Sequence, residues 1–268
     1  MNLTQFNYVL KGDRHQPTIL FLHGFMGNCD DFAQVISNLE EFCCLMVDLP
    51  GHGQTTVQQD SDYQMPNVAQ ALVQLLIALN IKQCILVGYS MGGRIALYLA
   101  IHFTQYFQGV ILESASPGLS IQLERDRRIA QDLKLAEQLE TSDLADFIQQ
   151  WYGKPLFASF VGHSDYPQAI ARRLCNDPYK LAKSLRLIGL GIQPSLWKSL
   201  PKIQIPLLLI VGELDTKFVQ INQMMANSCP HATLQSANNT GHNVHFEDPF
   251  QFTQLLKDFI ARLSSTID

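Results

Sequence analysis

Three residue types in this chain carry the makings of proton-transfer or nucleophilic chemistry: a glycine-flanked serine, a later aspartate and a histidine near the carboxyl end. The serine is Ser90, in Gly88-Tyr89-Ser90-Met91-Gly92. A serine hydroxyl is inert until a neighbour accepts its proton, and the usual neighbour is a histidine oriented by a carboxylate. Asp215, in Gly212-Glu213-Leu214-Asp215, and His242, in Gly241-His242-Asn243, follow it in the order Ser, Asp, His. Glu113 and Glu213 are rival acids, and Asp215 has the second reading of a helix cap for the segment from Lys217 onward. His245 is the rival base, read as a lid or structural contact; His102, His163 and His231 read as solvated. Upstream, in His23-Gly24-Phe25-Met26-Gly27, glycine lets backbone approach a ligand. The Phe25 and Met91 N–H groups would then form an oxyanion hole. His23 reads as support for that loop, and Asp48 and His52 as scaffold of a shaped loop over residues 48–53.

The elements that must position these groups are legible around them. An apolar run at residues 84–87 leads into Ser90, and an amphipathic helical pattern at 91–101 follows at once. Strand, tight turn and helix in succession describe a nucleophile elbow, whose flanking residues must nearly lack side chains. Similar β-type runs occur at 18–22, 43–47, 110–112 and 207–211. They are continuous rather than alternating, as parallel strands covered on both faces require. Further helical patterns at 30–39 and 67–79 complete an α/β alternation. From residue 117 to 200 the chain reads instead as helix after helix, punctuated by Pro155, Pro167, Pro178 and Pro194. The expected organisation is a core of residues 1–116 and 201–268 with a helical cap at 117–200. That cap would cover the carboxyl ends of the strands, where such sheets bind ligands.

Composition narrows the partners. A net charge of -5 gives no reason to expect nucleic acid, and 47% hydrophobic residues suit a sizeable core. No apolar run reaches the roughly 18 residues of a membrane span. The first six residues resemble no secretory leader. The six cysteines form no C-x-x-C pair and no zinc spacing, so a reduced, cytoplasmic setting without a metal site is expected.

These motifs resemble the α/β-hydrolase superfamily, with a mostly parallel central sheet flanked by helices and a helical cap insertion. Further segments are similar to one branch, the MenH family of 2-succinyl-6-hydroxy-2,4-cyclohexadiene-1-carboxylate synthases. They are residues 22–27, 47–53, 87–94, 113–119, the arginine run ending at Arg128, 151–157, 212–218 and 241–245. Most discriminating are Arg94 just after the elbow, Ser116-Pro117-Gly118-Leu119 with its arginines, and Trp151-Tyr152-Gly153-Lys154-Pro155. The resemblance implies a lyase that removes pyruvate from an enolpyruvyl cyclohexene carboxylate, with Ser90 as base and no cofactor. Tyr89, Arg94, Arg128 and Trp151 would contact substrate, and a further arginine near Arg172 or Arg173, taken as Arg173, would join them. Arginine suits such a small-molecule polycarboxylate because it pairs with carboxylates bidentately. The competing readings are a carboxylesterase or C–C bond hydrolase on the same triad, and a catalytically silent ligand receptor.

Overall fold

A computed structural model describes residues 6–264. The reading of the first residues as lacking a leader lies almost wholly outside them. Seven strands are present among the described residues: β1 (Tyr8–Lys11), β2 (Thr18–Leu22), β3 (Cys43–Val47), β4 (Cys84–Tyr89), β5 (Phe107–Glu113), β6 (Leu207–Gly212) and β7 (Ala232–Ala237). They form one sheet in the order β1-β3-β2-β4-β5-β6-β7, parallel except for β1.

The five apolar runs are the five interior strands. Their side chains alternate between two cores because successive residues of a strand point to opposite faces. Leu20, Leu22, Leu86, Leu112 and Leu209 pack on one side, against α2 (Met65–Ala78) and α3 (Met91–His102). Ile19, Phe21, Ile85, Val87, Ile111 and Ile210 pack on the other, against Phe252, Leu256 and Phe259. Each such burial contributes about 1.5–3 kcal/mol. The edge strands escaped the sequence reading for the complementary reason: β7 (Ala-Thr-Leu-Gln-Ser-Ala) carries polar residues and stays half open to solvent.

The helical pattern expected at 30–39 contracts to a single turn, α1 (Ala33–Ile36). Asp31 is drawn inward just before it, as described below. Between β5 and β6 run α4 (Gln122–Thr141), α5 (Leu144–Tyr152), α6 (Ala158–Val161), α7 (Tyr166–Arg173) and α8 (Pro178–Ile188). Asp143 and Asp177 start α5 and α8 by accepting backbone N–H groups of the first turn. This segment has its own apolar cluster, with Leu139, Phe147, Ile148, Phe160 and Leu181 at its centre. Met26, from the loop after β2, and Phe246, from the short helix before α11, join that cluster and seat it. After β6 come α9 (Thr216–Ser228), α10 (Val244–Glu247) and α11 (Pro249–Ser264). No described helix is long and apolar enough to cross a membrane.

Candidate active site

The elbow is shaped by what its neighbours cannot carry. A Cβ on Gly88 would lie 2.6 Å from the Gly92 carbonyl oxygen, and one on Gly92 would collide with the Leu22 carbonyl. Ser90 itself takes a positive φ of 48°, a strain of about 1–3 kcal/mol held by the surrounding structure. Its N–H donates to the Glu113 carbonyl (2.9 Å) and its carbonyl accepts from Arg94 N–H (3.0 Å), clamping the turn between β5 and α3.

The Ser90 hydroxyl oxygen lies 3.3 Å from His242 Nε2, and His242 Nδ1 lies 2.7 Å from Asp215 Oδ2. The carboxylate holds the proton on Nδ1 and leaves Nε2 free to accept the serine proton. Asp215 Oδ1 also accepts from Phe218 N–H (3.2 Å) and caps α9, so the residue contacts His242 and caps a helix at once. Phe218 and Phe157 pack on the His242 ring, at 4.6 and 5.7 Å between centroids.

The rival acids and bases are engaged elsewhere. Glu213 accepts from the exposed Asn239 N–H (3.0 Å). Glu113 is fully buried and accepts from His245 Nδ1 (2.8 Å) and His245 N–H (3.1 Å). His245 is stacked between Phe32 and Tyr89 and is a structural contact. His23 Nε2 accepts from Leu49 N–H (2.9 Å), so its Nδ1–H donates to the Gly24 carbonyl (2.7 Å); burial lowers its pKa. It supports the loop, as expected. Burial, then the neighbouring His23, brings His52 down to about 3. Asp48 accepts from Cys29 N–H, Gln54 N–H and Asn7 Nδ2 and is scaffold.

Above Ser90, helices α4, α5 and α8 and the loops at the carboxyl ends of the strands line a cavity of about 520 Å³. Phe25, Trp151, Leu156, Phe157 and Leu185 supply apolar walls, and Trp151 packs on Phe25 at 5.1 Å. Five cations line it (Arg94, Arg128, Lys134, Lys154 and Lys217) and, among the described residues, no Asp or Glu does. Phe25 and Met91 border it beside Ser90, and the Met91 N–H, first in α3, has no carbonyl one turn back within the helix. Ser114 also lines it, with a φ of 46° and a buried hydroxyl without a protein partner. A wider groove, about 960 Å³, lies at the opposite end of the strands, among Pro17, Thr18 and Lys82, remote from the serine.

Arg94 meets only neutral acceptors, the Gln193 Oε1 (2.7 Å) and the Ile188 carbonyl (3.1 Å). Burial and the nearby Arg128 lower its pKa to about 9, partly opposed by Asp132. Arg128 donates from Nε to Asp132 Oδ1 (2.8 Å) and keeps the rest of its guanidinium toward the cavity.

Two expected substrate contacts are corrected. Arg173 does not line the cavity: it is 2% exposed and bound to Asp31 by two hydrogen bonds of 2.6 and 2.8 Å, with Tyr152 Oη at 3.2 Å. Its charge ties the end of α7 to the turn before α1. Tyr89 is buried behind the elbow, where its ring lies under Gly24 and against His242 and His245. Lys134, Lys154 and Lys217 were missed. Lys154 and Lys217 stand inside motifs already singled out, but a lysine there reads equally as a solvated side chain until the cavity wall is known.

Comparison with known proteins follows this geometry. Residues 17–249 match the family described as alpha/beta hydrolase fold. The chain is 32% identical to a putative 2-succinyl-6-hydroxy-2,4-cyclohexadiene-1-carboxylate synthase of Bacillus subtilis, covering 94% of this chain and 93% of that one. It is 33% identical to the chloroplastic protein PHYLLO of Arabidopsis thaliana, over 92% of this chain but 15% of that much longer one. The solved structure of MenH from S. aureus superposes with a TM-score of 0.92 at 32% identity, covering 97% and 99% of the two chains. A thermophilic esterase from Thermogutta terrifontis, 22% identical with a TM-score of 0.84, shares the fold alone. The chain is an enzyme of the α/β-hydrolase superfamily and belongs to the family of 2-succinyl-6-hydroxy-2,4-cyclohexadiene-1-carboxylate synthases.

Proposed function

We propose that this enzyme is a lyase that eliminates pyruvate from 2-succinyl-5-enolpyruvyl-6-hydroxy-3-cyclohexene-1-carboxylate, in the synthesis of menaquinone or phylloquinone. The observation that carries this reading is the cavity over Ser90, with five cationic side chains and no lining carboxylate. A neutral ester needs no such field, whereas a substrate with several carboxylates does.

His242 Nε2 accepts the Ser90 proton as the serine oxygen takes the ring proton beside the succinyl carbonyl. The C–H electron pair shifts into the ring, and negative charge gathers on that carbonyl oxygen, facing the Phe25 and Met91 N–H groups. The ring C–O bond then breaks and its electron pair leaves on the enolpyruvyl oxygen. The enolate so released takes the proton held by His242 at its terminal carbon and becomes pyruvate, while the ring proton stays on the Ser90 oxygen. No water, acyl-enzyme or cofactor enters. Arg94 and Arg128 hold substrate carboxylates, Trp151 supplies an apolar wall, and residues 117–200 act as a lid on a core of residues 1–116 and 201–268. Free, mostly buried thiols suit a reducing cytoplasmic setting.

Pyruvate release from the enolpyruvyl substrate, followed with a coupled dehydrogenase, is the test. Turnover of p-nitrophenyl esters with no pyruvate from that substrate would reject the lyase reading in favour of a hydrolase.

A further inference from the structure

We propose that Lys154 is a carboxylate ligand of the cap, held ready by the Trp151 ring, and that it selects for substrates bearing more than one carboxylate. This rests on the polycarboxylate reading above and adds a ligand to it. Lys154 follows Gly153 at the end of α5, where the chain turns into Pro155–Phe157. The reversal brings its ammonium 3.7 Å above the centroid of Trp151, one turn back, at the cavity wall. An aromatic face attracts a cation without neutralising it, so the charge stays available to an anion.

The charges around this ammonium are lopsided. From α4 it meets Arg128, Asp132 and Lys134; α3 contributes Arg94; the sheet domain contributes Lys217 and His242. The α8 wall offers Ser184, Leu185 and Ile188, which carry no charge. Asp132 is the carboxylate set against this group, and one of its oxygens is already taken by Arg128. Arg94, Arg128, Lys134, Lys154 and Lys217 therefore outnumber it by four positive charges, a surplus that suits a ligand presenting more than one carboxylate.

Burial, and then Arg128, lower Lys154 to about 8. A bound carboxylate favours the charged form, so binding near that pH should draw a proton from solution. Affinity should fall about tenfold per pH unit above it if the charged form alone binds.

Calorimetric titration with succinate, using neutral succinamide as the control, reads this directly. Running it at pH 7 and 9 in two buffers of different ionisation enthalpy counts the protons taken up. The unmodified enzyme should bind succinate, take up protons near pH 8 and bind more weakly at pH 9. Lys154→Met should weaken binding at pH 7 about tenfold or more, remove the proton uptake and raise KM more than it lowers kcat. Lys154→Arg should restore binding at pH 7 and reduce the loss at pH 9 to the part that Arg94 carries. A melting curve for each variant shows whether it is folded. No succinate binding by the unmodified enzyme, or binding and proton uptake unchanged in Lys154→Met, would overturn the proposal and leave Lys154 a packing residue on Trp151. Succinate binding that depends on Lys154, without pyruvate release from the enolpyruvyl substrate, rejects the lyase reading and keeps the ligand.

Discussion

Two arginines beneath the same cap are treated in opposite ways. Arg173 is met by both oxygens of Asp31 and by Tyr152 Oη, and this pairing outweighs burial to raise its pKa. Arg94 is met by an amide oxygen and a backbone carbonyl, and burial lowers its pKa to about 9. The two histidine–acid pairs differ in what surrounds them. His245 and Glu113 are closed in by aromatic rings, whereas His242 keeps one nitrogen turned to Ser90. Residue type is shared within each comparison. Between the arginines, the difference is whether the charge is met by a carboxylate or left facing a cavity. Filled groups hold the cap and loops in place; unfilled ones are where a ligand gains free energy.

Removing the unfilled hydroxyl should have the largest effect. Ser90→Ala should lower the rate of pyruvate release about 10³-fold or more, with the melting temperature kept or raised because the histidine pair is untouched. A rate within tenfold of the unmodified enzyme would remove Ser90 from the chemistry.

Asp31→Asn attacks the filled side. Stranding Arg173 without its carboxylate should cost about 3–5 kcal/mol of folding stability, measured by urea denaturation at pH 7. Burial alone would raise the Asp31 carboxyl, but Arg173 outweighs it and holds it below the usual range. The pair therefore stabilises the fold above the unfolded carboxylate pKa of about 3.9, and this is lost as pH falls through the lower folded value. The stability difference between Asp31→Asn and the unmodified enzyme should narrow in acid.

Arg94→Met should give the smallest stability change of the three, neutral or slightly stabilising, since it removes a poorly compensated charge. Its cost should appear in kcat/KM, about 10–100-fold, as the loss of a charge-assisted contact to substrate. A loss of stability without that kinetic penalty would place Arg94 with Arg173 among the anchors.

How much could be read beforehand follows from the same physics. Interior strands were legible because residues buried on both faces leave an unbroken apolar run, as in β3 and β6. The edge strands β1 and β7 lack that signature, being partly exposed. The turn at Asp30–Asp31 read as helix because a local period cannot register that Asp31 pairs with a residue 142 positions away. That Ser90, Asp215 and His242 come together was readable from motif and order, since a tight turn admits little but glycine around its serine.

The linear chain thus determined the interior strands and the serine, acid and histidine that meet, because hydrophobic period and turn sterics act between near neighbours. Which arginine serves the ligand was decided by tertiary structure alone. Arg94 and Arg173 are the same side chain until folding brings a buried carboxylate to one and a cavity to the other. Electrostatic compensation depends on distance in space, and no spacing along the sequence encodes it.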